Sequence, residues 1–248
     1  MTTVKNIYDY INSIASFETQ EEWDNAGHLV GDFRKQVKKV VLSLDATKQV
    51  AEFAKEIGAD MLVTHHPLIF GGLKKVLSDS VVYMLANSGI ALVSAHTNFD
   101  KAQNGINDNL ASLLGLTDTY HTPDGFMVAG CLDSPMSVDD FAQFVNDALD
   151  CSGLRYTDTD KMIKKVCVCG GSGGDFLADA MEIADCYVTG EMKYHEMLEA
   201  DDNNFAVVVA GHYETENQPF LMLKERLEAI FTDVEFIIAP RNNPIREV

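Results

Sequence analysis

Two stretches of the chain end in the same way. Ala91-Leu92-Val93-Ser94-Ala95-His96-Thr97-Asn98-Phe99-Asp100 and Val207-Val208-Val209-Ala210-Gly211-His212-Tyr213-Glu214-Thr215-Glu216 align without a gap, His96 on His212, at an offset of 116 residues. Each is an apolar, strand-like run, then a small residue, then a histidine with a carboxylate four positions later. A third apolar run, Met61-Leu62-Val63-Thr64, stops at the adjacent pair His65-His66. Imidazoles and carboxylates delivered by several strand ends are what a divalent-metal site requires. Such a donor set suits zinc, iron, manganese, cobalt or nickel better than magnesium or calcium. Carboxylates can also bridge two ions about 3.5–4 Å apart, the spacing of two-metal hydrolytic sites.

A lone histidine after a strand is ordinarily a surface or hydrogen-bonded group. Here four of the seven histidines fall at repeat-related strand ends, and two have an acid at the same offset, which favours metal. Neighbours in extended structure point to opposite sides. His65 and His66 could therefore share no ion inside a strand, but in the turn after it they can serve two. A His-x3-acid pair shares one face if helical, or is folded together by a tight loop. His28 and His121 lack such company and read as structural or surface groups. Gly190-Glu191 takes the place of His65-His66 in the second half; the segment running on through Tyr194, His195 and Glu196 either lines the same cavity or starts a surface helix. The glycine-rich Gly170-Gly171-Ser172-Gly173-Gly174-Asp175 has no P-loop lysine and does not fit Gly-x-Gly-x-x-Gly. It reads as a tight turn lining the cavity, with an anion on its amides as the alternative.

Strands must carry these groups, and the hydrophobic pattern supplies them. Residues 4–17 have the three-and-four spacing of an amphipathic helix. Strands are expected at 40–44, 61–64 and 91–95, with helices at 48–57, 80–88 and 104–114 and a chain reversal near 121–125. This alternation predicts an α/β sheet covered on both faces. The second half replays the first: Lys38-Lys39-Val40-Val41-Leu42 corresponds to Lys164-Lys165-Val166-Cys167-Val168, and Ala59 to Thr64 corresponds to Ala184 to Thr189. Three matches in one order imply an internal duplication. The expected architecture is two related, closely packed α/β repeats with mixed sheets, 1–124 and 125–248, and a metal site between the lobes.

The 248 residues can bury a large core, and an apolar fraction of 46% with 23% charged residues is ordinary for a globular chain. A formal charge of −19 disfavours nucleic acid or an anionic membrane as partner. No run is long and apolar enough to span a bilayer, and the N-terminus does not read as a secretory signal. Five cysteines, an odd number, then read as reduced, mostly structural thiols of a cytoplasmic chain; Cys167-Val168-Cys169 alone is a poor zinc signal.

Trp23-Asp24-Asn25-Ala26-Gly27 with Val30-Gly31-Asp32, Thr64-His65-His66-Pro67-Leu68-Ile69-Phe70, His96-Thr97-Asn98-Phe99-Asp100, Thr189-Gly190-Glu191 and Gly211-His212-Tyr213-Glu214-Thr215-Glu216 resemble the successive motifs of the NIF-three-like family, also described as GTP cyclohydrolase I type 2. The resemblance covers essentially the whole chain, in a short form without the insertion some members carry between the halves. His28 departs from a pattern in which glycine is followed directly by leucine. The resemblance implies a hexameric toroid and a centre of two divalent transition-metal ions per chain. Its ligands would be His65, His66, Asp100, His212 and Glu216. Glu216 would bridge, His66 and Asp100 would complete one ion, and His65 and His212 the other. His96 would stand behind the ligands, orienting them or water.

The expected activity is that of a metal-dependent hydrolase acting on a nucleotide or related heterocycle, such as GTP. Glu191 and His195 are the candidate proton carriers, with Tyr194 beside them. Two readings stand as alternatives: a metal-dependent phosphoesterase, and a non-catalytic metal-binding or regulatory interaction protein.

Overall fold

Runs of aliphatic and β-branched residues form strands most readily where both faces of a sheet are covered. The computed structural model describes residues 1–241 and 243–246. In it the chain forms two units, Met1–Gln103 with Phe220–Pro244, and Asn104–Pro219 with the residues from Ile245.

The first unit opens with α1 (Val4–Ile14), which buries Val4, Ile7 and Ile11 and is capped by the Thr3 hydroxyl on the Asn6 N–H. It stops short of residue 17 because the Asn12 side chain accepts the Phe17 N–H at 2.9 Å. Then follow β1 (Gly27–Val30), β2 (Lys39–Ser43), α2 (Lys48–Glu56), β3 (Met61–Thr64), α3 (Val81–Asn87), β4 (Ala91–Ser94) and the short α4 (Thr97–Asp100). The second unit contains α5 (Ile106–Leu113), β5 (Thr117–His121), β6 (Val128–Met136), α6 (Val138–Leu149), β7 (Arg155–Tyr156), β8 (Ile163–Cys169), α7 (Leu177–Ile183), β9 (Cys186–Thr189), α8 (Tyr194–Asp202) and β10 (Ala206–Val209). Helix α9 (His212–Leu221) carries the chain back to the first unit, which α10 (Leu223–Ile230) and β11 (Glu235–Ile238) complete.

The first sheet has the order β1-β4-β3-β2-β11 and the second β5-β6-β8-β9-β10-β7. Each has a parallel triple at its centre, β2-β3-β4 and β8-β9-β10, in the same register: Val40 faces Met61 as Val166 faces Cys186. Each also adds an antiparallel strand, β1 or β7, beside the last strand of the triple. Even the entry to the triple repeats. Asp60 Oδ2 accepts from the Lys38 and Lys39 amides, and Asp185 Oδ2 from those of Lys164 and Lys165. The units are therefore two related mixed α/β repeats.

The units do not divide at 124/125. The β5–β6 hairpin joins the second sheet through Val128 on Val168, whereas β11 returns to lie parallel to β2, Glu235 on Lys39. The Thr2 hydroxyl donates to Asp233 at 2.6 Å and ties the first residues to that returning segment.

Period-two alternation sorts the core of the second unit. Val166, Val168, Cys186, Val188, Ala206 and Val208 face one cluster with α5 and α6, while Cys167, Tyr187, Val207 and Val209 face another with α7 and α8. None of the five cysteines is in a disulfide. Burial pushes the Cys167 thiol up to about 12 and raises that of Cys186 too, so both pack as small apolar groups. Among the described residues no helix is long and apolar enough to cross a membrane.

Candidate metal centre

Functional groups of parallel α/β sheets gather just past the carboxyl ends of the strands. In the first unit His65 and His66 follow β3, and both their amides donate to the Leu44 carbonyl, at 3.2 and 3.0 Å. That shared acceptor marks the chain leaving extended geometry. The two rings, which a strand would point apart, come within 5.0 Å of each other, centroid to centroid. His96, after β4, joins them at 5.1 Å from His65 and 5.5 Å from His66. One ring nitrogen from each of the three lies within 4.8 Å of the others, a group that could hold a metal ion.

The partners of these rings decide which nitrogen is presented. His65 Nδ1 lies 2.8 Å from the Ala95 carbonyl, His66 Nδ1 2.7 Å from Asp45 Oδ1, and His96 Nδ1 2.9 Å from Asp24 Oδ1. Oxygen acceptors at all three Nδ1 atoms assign the hydrogen there and turn the Nε2 lone pair outward, the tautomer of metal-binding histidine. His65, fully buried, has Nε2 3.4 Å from Asp100 Oδ1. A lone pair facing a carboxylate at that distance is stabilised by a cation between them. The donor set and its tautomers thus fit a metal.

Burial by itself would raise the Asp24 carboxyl, but hydrogen bonds from His96 and Thr97 overcome it and hold it down at about 2. Because the folded value lies below the unfolded 3.8, this carboxylate stabilises the fold above pH ~4, and that contribution disappears as pH falls through about 2. Its size is about 2 kcal/mol. Urea unfolding of metal-free protein at pH 5 and pH 2.5 is expected to show Asp24→Asn less stable at pH 5 by about that amount, with the gap narrowed to under about 1 kcal/mol at the lower pH.

In the second unit His212 is the first residue of α9, so His212 and Glu216 share a helical face, with Nε2 and Oε2 3.1 Å apart. Glu191 Oε1 stands 3.3 Å from His212 Nδ1, and Glu191 is itself held by the Ser172 hydroxyl at 3.2 Å. An open cleft of about 410 Å³, lined among others by Arg155, Ser172, Glu191 and Lys193, borders this group. The glycine-rich segment closes tightly beneath it. Its Gly170, Gly171 and Gly173 amides are taken by Asn107 Oδ1, Thr215 Oγ1 and Thr189 Oγ1, which makes it the tight turn rather than an anion cradle. Tyr194 and His195 stand apart on the exposed start of α8; the His195 side chain is 73% exposed and its Nε2 is 4.0 Å from Glu196 Oε1.

The two His-x3-acid segments are not structural equivalents. Register places Ser94 beside Thr64 and Val209 beside Thr189, and the Ala95 and Ala210 amides donate to those two threonine carbonyls. The true offset is therefore 115, one less than the gapless match. His96 precedes its helix while His212 begins its own. That single residue explains why His212 meets its acid, whereas His96 bonds Asp24 and leaves Asp100 to His65. Sequence reasoning assigned no role to Asp24 or Asp45. Asp45 follows β2 by two residues and so satisfies the same strand-end rule that found the histidines.

The family model described as Duf34/NIF3 (NGG1p interacting factor 3) matches residues 2–244. A Clostridium perfringens protein named GTP cyclohydrolase 1 type 2 homolog is 32% identical over 250 residues, covering 95% of this chain and 95% of that one. The structure of reduced HcgD from Methanocaldococcus jannaschii superposes with a TM-score of 0.85 at 29% identity, covering 97% of this chain and 98% of that one. Staphylococcus aureus protein SA1388 shares the fold with a TM-score of 0.92 at 24% identity, each chain covered to 99%.

Proposed function

The chain belongs to the Duf34/NIF3 family, and from that premise we propose a metal-dependent hydrolase that acts on a nucleotide or related heterocycle at a centre of two divalent transition-metal ions. The observation that carries this reading is the common tautomer of His65, His66 and His96, each bonded through Nδ1 to an oxygen and offering Nε2. Asp100 and Glu216 add carboxylate oxygen, a combination that suits zinc, iron, manganese, cobalt or nickel.

In the proposed centre the donors come from both units. His65, His66, Asp100, His212 and Glu216 would hold the two ions, with Glu216 as the carboxylate they would share. His96, fixed by Asp24, orients these groups or a water. When bound, the ions supply Lewis acidity and a positive centre that can bring the pKa of a water to about 7. Asp45 and Asp24 hold the rings of His66 and His96 in one orientation. Glu191, whose contacts with His212 and Ser172 support the role, would carry a proton at Oε1. The name of the C. perfringens relative favours GTP ring opening, in which a purine carbon is hydrated and lost as formate.

The test is formate release from GTP by zinc- or manganese-loaded protein. We expect metal-dependent turnover that His66→Ala abolishes. Absence of turnover on GTP, other nucleotides and phosphodiesters by fully loaded protein would overturn the hydrolase. Turnover on phosphodiesters alone would replace it with a phosphoesterase. We also propose a homohexamer, which sedimentation should show as a particle of six chains; a monomer at micromolar concentration contradicts it.

A further inference from the structure

We infer that Trp23 and Phe70 form a stacking clamp that holds the planar heteroaromatic ring of the substrate beside His96. This rests on the nucleotide hydrolase reading and adds the residues that would recognise the ring.

Single exposed apolar side chains are normal on a protein surface. These two are not isolated. Trp23 is 60% and Phe70 54% exposed, yet they come from loops far apart in sequence and lie almost parallel, 13° between planes and 6.4 Å between centroids. Both also present to the same histidine: His96 lies edge-on to Trp23 at 6.0 Å and to Phe70 at 5.6 Å. The exposed rings thus stand next to the groups that would do the chemistry.

The backbone beside each ring is fixed. Asp24, adjacent to Trp23, accepts from His96 and Thr97. Asn25 Nδ2 donates to the carbonyl of Ile69, adjacent to Phe70, at 2.6 Å and joins the two loops. Gln20 Oε1 accepts the Ala26 amide at 2.7 Å on the far side of the turn. A ring inserted between two others needs about 7 Å between their planes, twice the ordinary carbon contact distance, so the two exposed side chains must part to admit one. Every nucleobase offers a π-face to such a pair, whatever its polar edges.

Trp23 is the sole tryptophan, so intrinsic fluorescence reports on the clamp directly. Titration of metal-loaded protein with guanosine should quench it saturably, whereas ribose 5-phosphate should not. Phe70→Ala should raise the guanosine Kd by roughly tenfold and Phe70→Tyr should restore it, with metal content unchanged in both. Trp23→Leu should weaken guanosine binding similarly by calorimetry. Non-saturable quenching, equal quenching by ribose 5-phosphate, or an unchanged Kd in Phe70→Ala would overturn the clamp. So would concentration-dependent shielding of Trp23 from acrylamide without ligand, which would mean that a second copy covers it. The two readings fail separately: metal-dependent GTP turnover with an unchanged KM in Phe70→Ala removes the clamp and keeps the hydrolase. Guanosine stacking without turnover on any nucleotide keeps the clamp and removes the hydrolase.

Discussion

His66→Ala is expected to weaken zinc binding by more than about 100-fold, and Asp45→Asn by about 10- to 100-fold. The two variants separate the donor from the group that holds it. His66 Nδ1 meets Asp45 Oδ1 at 2.7 Å, so the carboxylate fixes the ring and raises the basicity of Nε2. Alanine at 66 removes the nitrogen altogether. Asparagine at 45 keeps an oxygen acceptor but loses the negative charge, so orientation partly survives while basicity falls. Competition with a chromophoric chelator measures both. Equal affinities in His66→Ala and the unmodified protein would remove His66 from the donor set, and an unchanged Asp45→Asn would mean that the contact is structural only.

Gly171→Ala is expected to cost about 3 kcal/mol of stability and to weaken metal binding, whereas Gly115→Ala should cost only about 1 kcal/mol and leave the metal alone. Both glycines have φ near +65°, a conformation that strains any L side chain. They differ in what a Cβ would meet. At Gly115 nothing lies within 4 Å, while at Gly171 a methyl group would run into Glu216 Oε1 and approach His212 Nε2 to 3.2 Å. The difference between the variants isolates the clash from the backbone strain. Urea unfolding with the same chelator titration checks it; similar costs in the two would show that Glu216 and His212 give way freely.

The legible parts of this molecule are those set by short-range pattern. Met61–Thr64 is all apolar but for its last residue and stands as β3 with the limits its sequence suggested. The parallel triples were readable because their buried strands are continuous aliphatic runs. What escaped was set by pairing over distance. Nothing in Glu235–Ile238 announces that it will lie beside β2, because a four-residue strand carries no mark of its partner. The offset of the duplicated histidines failed for a related reason. Matching letters favoured 116, but hydrogen bonds from Ala95 and Ala210 to Thr64 and Thr189 set the frame at 115.

At the site the same division holds. The histidines were found because they end strands, and Asp100 and Glu216 because each follows one of them by four residues; the family resemblance supplied the ligand set. The oxygen behind each ring was not visible: Asp24 lies 72 residues from His96 and Asp45 lies 21 from His66. Glu191 and His195 looked alike in sequence, yet a turn before α8 sends Glu191 to His212 and leaves His195 on the surface.

The proposed centre holds two ions in each chain. Elemental analysis of protein reconstituted with zinc and freed of loosely bound ions tests it most directly. About two ions per chain are expected, with both lost in Glu216→Ala because the proposed centre shares that carboxylate between them. Less than about a tenth of an ion per chain after reconstitution, or full retention of zinc in Glu216→Ala, would contradict it.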